Sequence, residues 1–378
     1  MIRITENKNF SLKLLKQKSY IQFWDFKNVS DFHKTIGNKE TPLLRLPGLA
    51  ERLGIGDLLL KDESHRFGLN AFKALGASYA MHRQLKKNPQ IKTFCTATDG
   101  NHGRAVAWMA KRLGKEALIY MPNGTVPARV RAIENEGADV LLIDQGYDVA
   151  VKMASSRVDD GNKISDTWSL IQDTAWNGYE EVPLDIMKGY WTQAHEITKQ
   201  IEREKIDVLL LQSGVGSWAA SIVIYILKQW KNPPFFVGVE PYSANCLFES
   251  IKSGHLVSIE NDAITSMAGL NCGSVSTLAW NILKNSLIGS ISIADKLSEE
   301  AMKTLAFPLP GDPTIISGES GASGLGALIG LCKTNKFRSF KEKISLNKSS
   351  KVLVINTEGD TDPSNYKRVM ANNRLNNW

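Results

Sequence analysis

Short, β-rich apolar runs recur along the middle of the chain, and most are separated by longer segments whose apolar residues follow a helical period. The strand-like runs are 57–61, 93–97, 117–121, 139–143, 207–212, 235–240 and 351–355. The spacing predicts helices over 70–85, 103–113, 128–136 and 218–230. Strands that are apolar almost throughout, rather than alternating, belong to parallel sheets covered on both faces. The expected fold class is therefore α/β with open parallel sheets. Gly and Pro cluster at 122–127, 213–217, 308–313 and 318–326, and the last cluster opens GESGASGLGALIG, a glycine-rich helix start. Residues 341–351 are polar and read as a loop before the final strand. The first 45 residues show no clear period and are expected to wrap the body.

Length adds that 378 residues suit two or three compact units, or one α/β unit with an insertion. No apolar run approaches the roughly 18 residues of a membrane span. The leading MIRITENKNFSLK has no secretory core, so a cytoplasmic location is the default expectation. The net charge of +7 is interleaved with acids, as in KQIEREK at 199–205, which favours a solvated surface over a nucleic-acid partner. Four distant cysteines form no CxxC and the histidines form no HExxH, so no metal site is expected.

In open parallel sheets, ligands sit at the carboxyl ends of strands and at helix N-termini. After the first strand comes KDESHRFGLNAFKALGASYA (61–80), with Lys73 in an apolar helical context. Such a lysine is either a snorkelling surface residue or one whose desolvated amine bonds a carbonyl. After the second comes TATDGNHGRAVAWMA (96–110). Here Gly100 and Gly103 flank a tight turn, Asn101 and His102 add donors, and Asp99 adds a carboxylate; the alternative is a simple helix cap by Asp99 or Asn101. After the strand DVLLLQ comes SGVGS (213–217), which is neither GxGxxG nor a GK[ST] loop. It reads as a phosphate-type loop or an ordinary strand-to-helix turn. A reactive lysine, a turn with an Asn and a phosphate-type loop on one α/β chain are together what pyridoxal phosphate needs.

On these residues the chain resembles the fold type II (tryptophan-synthase-β-like) family of pyridoxal-phosphate enzymes. Within it, RFGLNAFKALGASYA, ATDGNHGRAVAW, QDTAWNGYE, GDPTIISGESGA and INTEGDTDP resemble the diaminopropionate ammonia-lyase family over about residues 40–365. The resemblance implies two open α/β domains with the cofactor in the cleft between them. The smaller is inserted at 82–205; the larger takes 1–81 and 206–378. It implies α,β-elimination of D- or L-2,3-diaminopropionate, through aminoacrylate, to pyruvate and two ammonia. Lys73 is the implied cofactor lysine and the base for the L-substrate. Asp99 is the implied base for the D-substrate, and Asp173 a second acid near the β-amine, with a loop or cap role as its alternative. The implied cofactor contacts are Lys73, Asn101, Ser213, Gly214, Val215, Gly216 and Ser217. The ring nitrogen faces either Asn356 or Thr357, both neutral. The substrate carboxylate is expected on Thr98, Asp99, Gly100, Asn101 and His102.

Serine and threonine dehydratases of the same fold are the alternative, but they have a small residue where this chain has Asp99. Ser217 and Trp218 stand where the family usually has small residues. The resemblance also implies a homodimer, and it places Cys246 and Cys272 near the mouth of the site, where two free thiols are expected.

Overall fold

The protein is described here from a computed structural model, which covers residues 2–12, 26–259 and 265–371. Its strands are β1 Ile2–Glu6, β2 Leu43–Arg45, β3 Asp57–Asp62, β4 Thr93–Ala97, β5 Glu116–Pro122, β6 Asp139–Ile143, β7 Trp168–Leu170, β8 Val208–Gln212, β9 Phe235–Pro241, β10 Leu287–Ile293 and β11 Lys351–Asn356. The helices that bear on the site are α1 Ala74–Lys87, α2 Asn101–Leu113, α3 Tyr147–Ile164, α4 Glu181–Gly189, α5 Ser217–Gln229, α6 Cys246–Ser253 and α7 Glu319–Cys332.

The chain forms two compact units. One takes Met1–Trp24, Glu40–His65 and Gln193–Trp378; the other takes Asp25–Lys39 and Arg66–Thr192. Among the described residues, the first unit holds a seven-stranded sheet in the order β1-β10-β9-β8-β11-β3-β2. Its inner strands are parallel, and β1 and β2 close the two edges antiparallel. The inner strands are buried along nearly their whole length because both faces are covered, as the unbroken apolar runs foretold. Leu58, Leu210, Val239 and Val354 from the strands pack with Leu325 and Leu328 of α7 in one core. At the carboxyl ends the apolar runs stop on polar residues: Asp62 on β3, Gln212 on β8 and Asn356 on β11.

The second unit holds a parallel sheet in the order β6-β5-β4-β7. Cys95 and Ala97 of β4 pack with Ala150, Ala154 and Val158 of α3. This unit begins earlier than the expected residue 82 and ends before 205. The reason is α1, which packs on α2 and α4 rather than on the seven-stranded sheet. Lys73, at the start of α1, therefore belongs with Asp99 and Asp173 and not with the SGVGS loop.

Four strands were not foreseen. β10 reads LIGSISI, where Gly289, Ser290 and Ser292 interrupt the apolar run although all seven residues are buried. Ser290 and Ser292 donate from their hydroxyls to carbonyls of β9, at 3.5 Å to Gly238 and 3.4 Å to Pro241. β1 and β2 are partly exposed edges and β7 has three residues, too little for a period to show. Of the first 45 residues, 13–25 lie outside the described residues.

Candidate active site

In the second unit the site grows from the carboxyl ends of β4 and β7. Gln172 holds the two together: its Oε1 accepts from Ala97 N at 3.0 Å and from Thr96 Oγ1 at 2.9 Å. That tie joins the segment carrying Asp173 to the one carrying Asp99. Beyond β4 the chain turns sharply into α2. Thr98 Oγ1 accepts from the backbone N–H of Gly100 at 2.9 Å and of Gly103 at 3.1 Å. Thr98 thus caps the helix. Gly100 has φ +146°, where a side chain is strained, and a Cβ there would sit 2.9 Å from Arg129 Cδ. Asn101 is the first residue of α2.

Lys73 precedes α1 and is not a solvated surface lysine. Its Nζ donates to Asp173 Oδ2 at 2.5 Å, with the lysine side chain 20% and the aspartate 7% exposed. Burial alone would raise the Asp173 carboxyl. The charge of Lys73 and its hydrogen bond outweigh it and bring the pKa down to about 2. Asp99 behaves oppositely. One edge stays accessible, but the atoms packed round its carboxyl push it up to about 7, against the pull of Arg129 and with the negative charge of Asp173 adding to the rise. Two carboxylates in one cluster are thus held at opposite ends of the titration range, a pattern that separates an acid–base role from a permanent charge.

His102 Nε2 lies 2.7 Å from the carbonyl of Ile171, so this nitrogen carries the proton. Burial holds its pKa below the usual value, which keeps the ring neutral. Nδ1 is buried and has no hydrogen-bond partner among the described residues. The hydroxyl of Tyr190 is likewise buried and unpartnered, and its ring meets Phe72 edge-on, beside Lys73. Neither Tyr190 nor Arg129 was legible beforehand: each sits in an ordinary amphipathic helical stretch.

The first unit carries the other candidate residues. After β8, Ser213 to Gly216 turn the chain into α5, which begins at Ser217. Gly216 has φ +86°, and a Cβ at Gly214 would lie 3.0 Å from Gly269 O. The loop is therefore built without side chains at both positions, and it leads into a 13-residue helix whose N-cap makes no side-chain hydrogen bond, leaving first-turn amides for an anion. Val215 O accepts from Ser276 N at 2.9 Å, which braces the loop from behind. Trp218, large for this position, is buried, and its indole N–H donates to Gln193 Oε1 at 2.7 Å. Asn356 and Thr357 follow at the end of β11, both buried.

These features meet the needs of a phosphorylated aldehyde cofactor: glycines that clear a phosphate cradle at a helix start, and a partly buried lysine held in place by a carboxylate. The family of proteins described as "Pyridoxal-phosphate dependent enzyme" matches residues 34–358. The chain belongs to this family.

Among its relatives, diaminopropionate ammonia-lyase of Salmonella typhimurium is 41% identical over 374 residues, 91% of each chain. A crystal structure of diaminopropionate ammonia-lyase from Escherichia coli, in complex with an aminoacrylate-PLP azomethine reaction intermediate, superposes with a TM-score of 0.90 at 39% identity. That match covers 99% of this chain and 98% of the other. A threonine dehydratase of Solanum lycopersicum is 31% identical but over only 58% of this chain and 34% of its own. The fold is thus that of fold type II pyridoxal-phosphate enzymes, and the family cofactor is pyridoxal 5'-phosphate. Among the described residues no group of side chains is arranged to hold a metal ion, and no helix is long and apolar enough to cross a membrane.

Proposed function

We propose that the protein is a diaminopropionate ammonia-lyase that converts D- and L-2,3-diaminopropionate to pyruvate and ammonia. The observation that carries this reading is the cluster of Lys73 with two carboxylates of opposed protonation, Asp173 ionised and Asp99 poised near neutrality. The near-full-length similarity to diaminopropionate ammonia-lyases supports it over the dehydratase reading.

When bound, pyridoxal phosphate supplies an electron sink for the charge that develops at the substrate Cα. The residues of the chain do the rest. Lys73 is the covalent attachment point, and ionised Asp173 holds and orients its ammonium through their hydrogen bond. Once Lys73 is engaged, ionised Asp173 attracts the cationic β-ammonium of the substrate and holds it for departure. A hydroxyl in place of that ammonium would gain little from the carboxylate, which is the basis for preferring diaminopropionate to serine or threonine. Asp99 removes the Cα proton from the D-isomer, and Lys73 acts on the opposite face for the L-isomer. The turn Thr98 to His102 receives the substrate carboxylate on backbone N–H groups such as those of Asp99 and Asn101, whereas that of Gly100 is already given to Thr98 Oγ1. Asn101 also bonds the ring hydroxyl. Ser213, Gly214, Val215, Gly216 and Ser217 hold the phosphate, and Asn356 or Thr357 faces the ring nitrogen.

The protein is further proposed to act as a cytoplasmic homodimer. Two-fold dimers are the commonest oligomers, and none of the four cysteines is in a disulfide. Light scattering on the purified chain checks the dimer. The test of the activity is pyruvate release from each enantiomer beside serine and threonine. Faster release from either enantiomer of diaminopropionate is expected, and faster release from serine would move the protein to the dehydratases.

A further inference from the structure

The helix Pro127–Glu134 has no acidic residue in its first turn, which instead carries Arg129. A cation there opposes the helix dipole, and this one is also buried. Two unfavourable terms at one residue mark a charge retained for what lies beside it. Beside it is the turn that carries Asp99. Arg129 and Ile133, four residues apart on one face of the helix, meet two glycines of that turn. A Cβ at Gly100 would stand 2.9, 3.4 and 3.5 Å from Cδ, Cγ and Cβ of Arg129, so the methylene stem runs along the residue next to Asp99. A Cβ at Gly103 would stand 3.2 Å from Ile133 Cδ1, a contact that sets the helix against the start of α2. The missing side chains at Gly100 and Gly103 are what let the arginine come this close.

Burial is the largest effect on the Asp99 carboxyl, and Arg129 is the largest attraction working against it. Asp173, beyond β7, and Asp148, at the start of α3, disfavour the ionised form, and Lys73, before α1, favours it. His102, on the same turn as Asp99, is held neutral by burial. Lys73 is no constant counter-charge, because it is bonded to the cofactor in one part of the cycle and acts as a base in another. The guanidinium of Arg129 stays protonated throughout.

We propose that Arg129 is a positioning residue for turnover of the D-isomer: its fixed charge beside the Asp99 turn keeps that carboxylate available as a base at neutral pH. This rests on the role given to Asp99 above. Lys73 works on the opposite face of Cα, so turnover of the L-isomer does not draw on Arg129.

The test is the pH dependence of kcat/KM for each enantiomer, measured on the cofactor-loaded protein. The two enantiomers share the same amine titrations, so the L-profile is the reference for the D-profile. In Arg129→Met the rising limb for the D-isomer is expected to move up by about one pH unit, the lower end of what a neighbouring opposite charge supplies. At pH 6, below the limb, that is about a tenfold loss for the D-isomer, with the high-pH plateau kept and the L-profile unmoved. Arg129→Lys, which keeps the charge, is expected to restore the limb. Arg129→Gln takes the place of Arg129→Met should that variant fail to fold. A D-limb that stays at its parent position in the neutral variant would overturn the proposal. So would an equal loss for both enantiomers at every pH, which is what a purely structural arginine produces. Both outcomes leave the lyase reading standing. A parent limb that survives in Asp99→Asn, or a parent protein that releases no pyruvate from either enantiomer, would overturn the role of Asp99 and this proposal with it.

Discussion

The closest approach between helices near Lys73 offers a sharp perturbation. Gly189, the last residue of α4, lies against the start of α1. A Cβ at 189 would sit 2.7 Å from Gly76 Cα and 2.9 Å from Leu75 C, and nearer still to the Leu75 carbonyl oxygen. These are backbone atoms that no rotamer change moves aside. Restoring contacts of about 3.5–4.0 Å requires the two helices to part by about 1 Å. Overpacking of this kind costs about 1–3 kcal/mol, which lowers the melting temperature by several degrees. Lys73 stands immediately before α1, so the same shift moves its Nζ away from Asp173. A misplacement of about 1 Å in a reacting group costs on the order of 10²-fold in rate. Gly189→Ala is therefore expected to lower kcat/KM for both enantiomers by about that factor while leaving the chain folded. Gly124→Ala serves as the control, because nothing lies within 4 Å of a Cβ there. Pyruvate release and a thermal melt on both variants are the assays. Parent-like turnover and stability in Gly189→Ala would refute the claim that this crossing positions the lysine.

Further predictions concern single groups. With Asp99 raised to about 7, its carboxylate forms as pH climbs through neutrality, so kcat/KM for the D-isomer should rise across that range. Asp99→Asn should abolish the limb and cost about 10²–10⁴-fold for the D-isomer, with the L-isomer far less affected; an unchanged D-profile would remove Asp99 as the base. Thr98→Val deletes the acceptor for Gly100 N and Gly103 N and should raise KM, while Thr98→Ser should stay near the parent; equal kinetics in both would show that the turn holds without it. Glu240 is fully buried, and burial outweighs its bonds from the amides of Leu247 and Phe248 at the start of α6, raising its pKa to about 8. Its folded pKa lies above the unfolded value of about 4.3, so its contribution is whole below about pH 4.3 and is lost toward pH 8, by up to ~1.4 kcal/mol per unit. Glu240→Gln should flatten the fall of the urea midpoint between pH 6 and 8, and an unchanged slope would assign that fall to other groups.

The sequence was most informative where one residue's type sufficed. Unbroken apolar runs located the buried parallel strands, and glycine spacing located the two tight turns. It was least informative where placement depends on packing. Sequence alone puts Lys73 in the larger domain, and only α1 seen against α2 and α4 moves it to the smaller. The strand β10 hides because buried serines can donate to carbonyls of β9, so burial does not demand an apolar side chain. Tyr190 and Arg129 reach the cluster through tertiary contacts alone. Gln212 did leave a trace, as a polar residue closing the run DVLLLQ at the carboxyl end of a strand.

The central claim is that the amine of Lys73 bonds the aldehyde of the cofactor. Reduction of the purified, cofactor-loaded protein with borohydride, followed by peptide mass mapping, tests it directly. The account predicts a phosphopyridoxyl group on the peptide containing NAFKALGA, at Lys73, and its absence in Lys73→Ala. A label fixed on a different lysine, or cofactor washed away unreduced on denaturation, would contradict it.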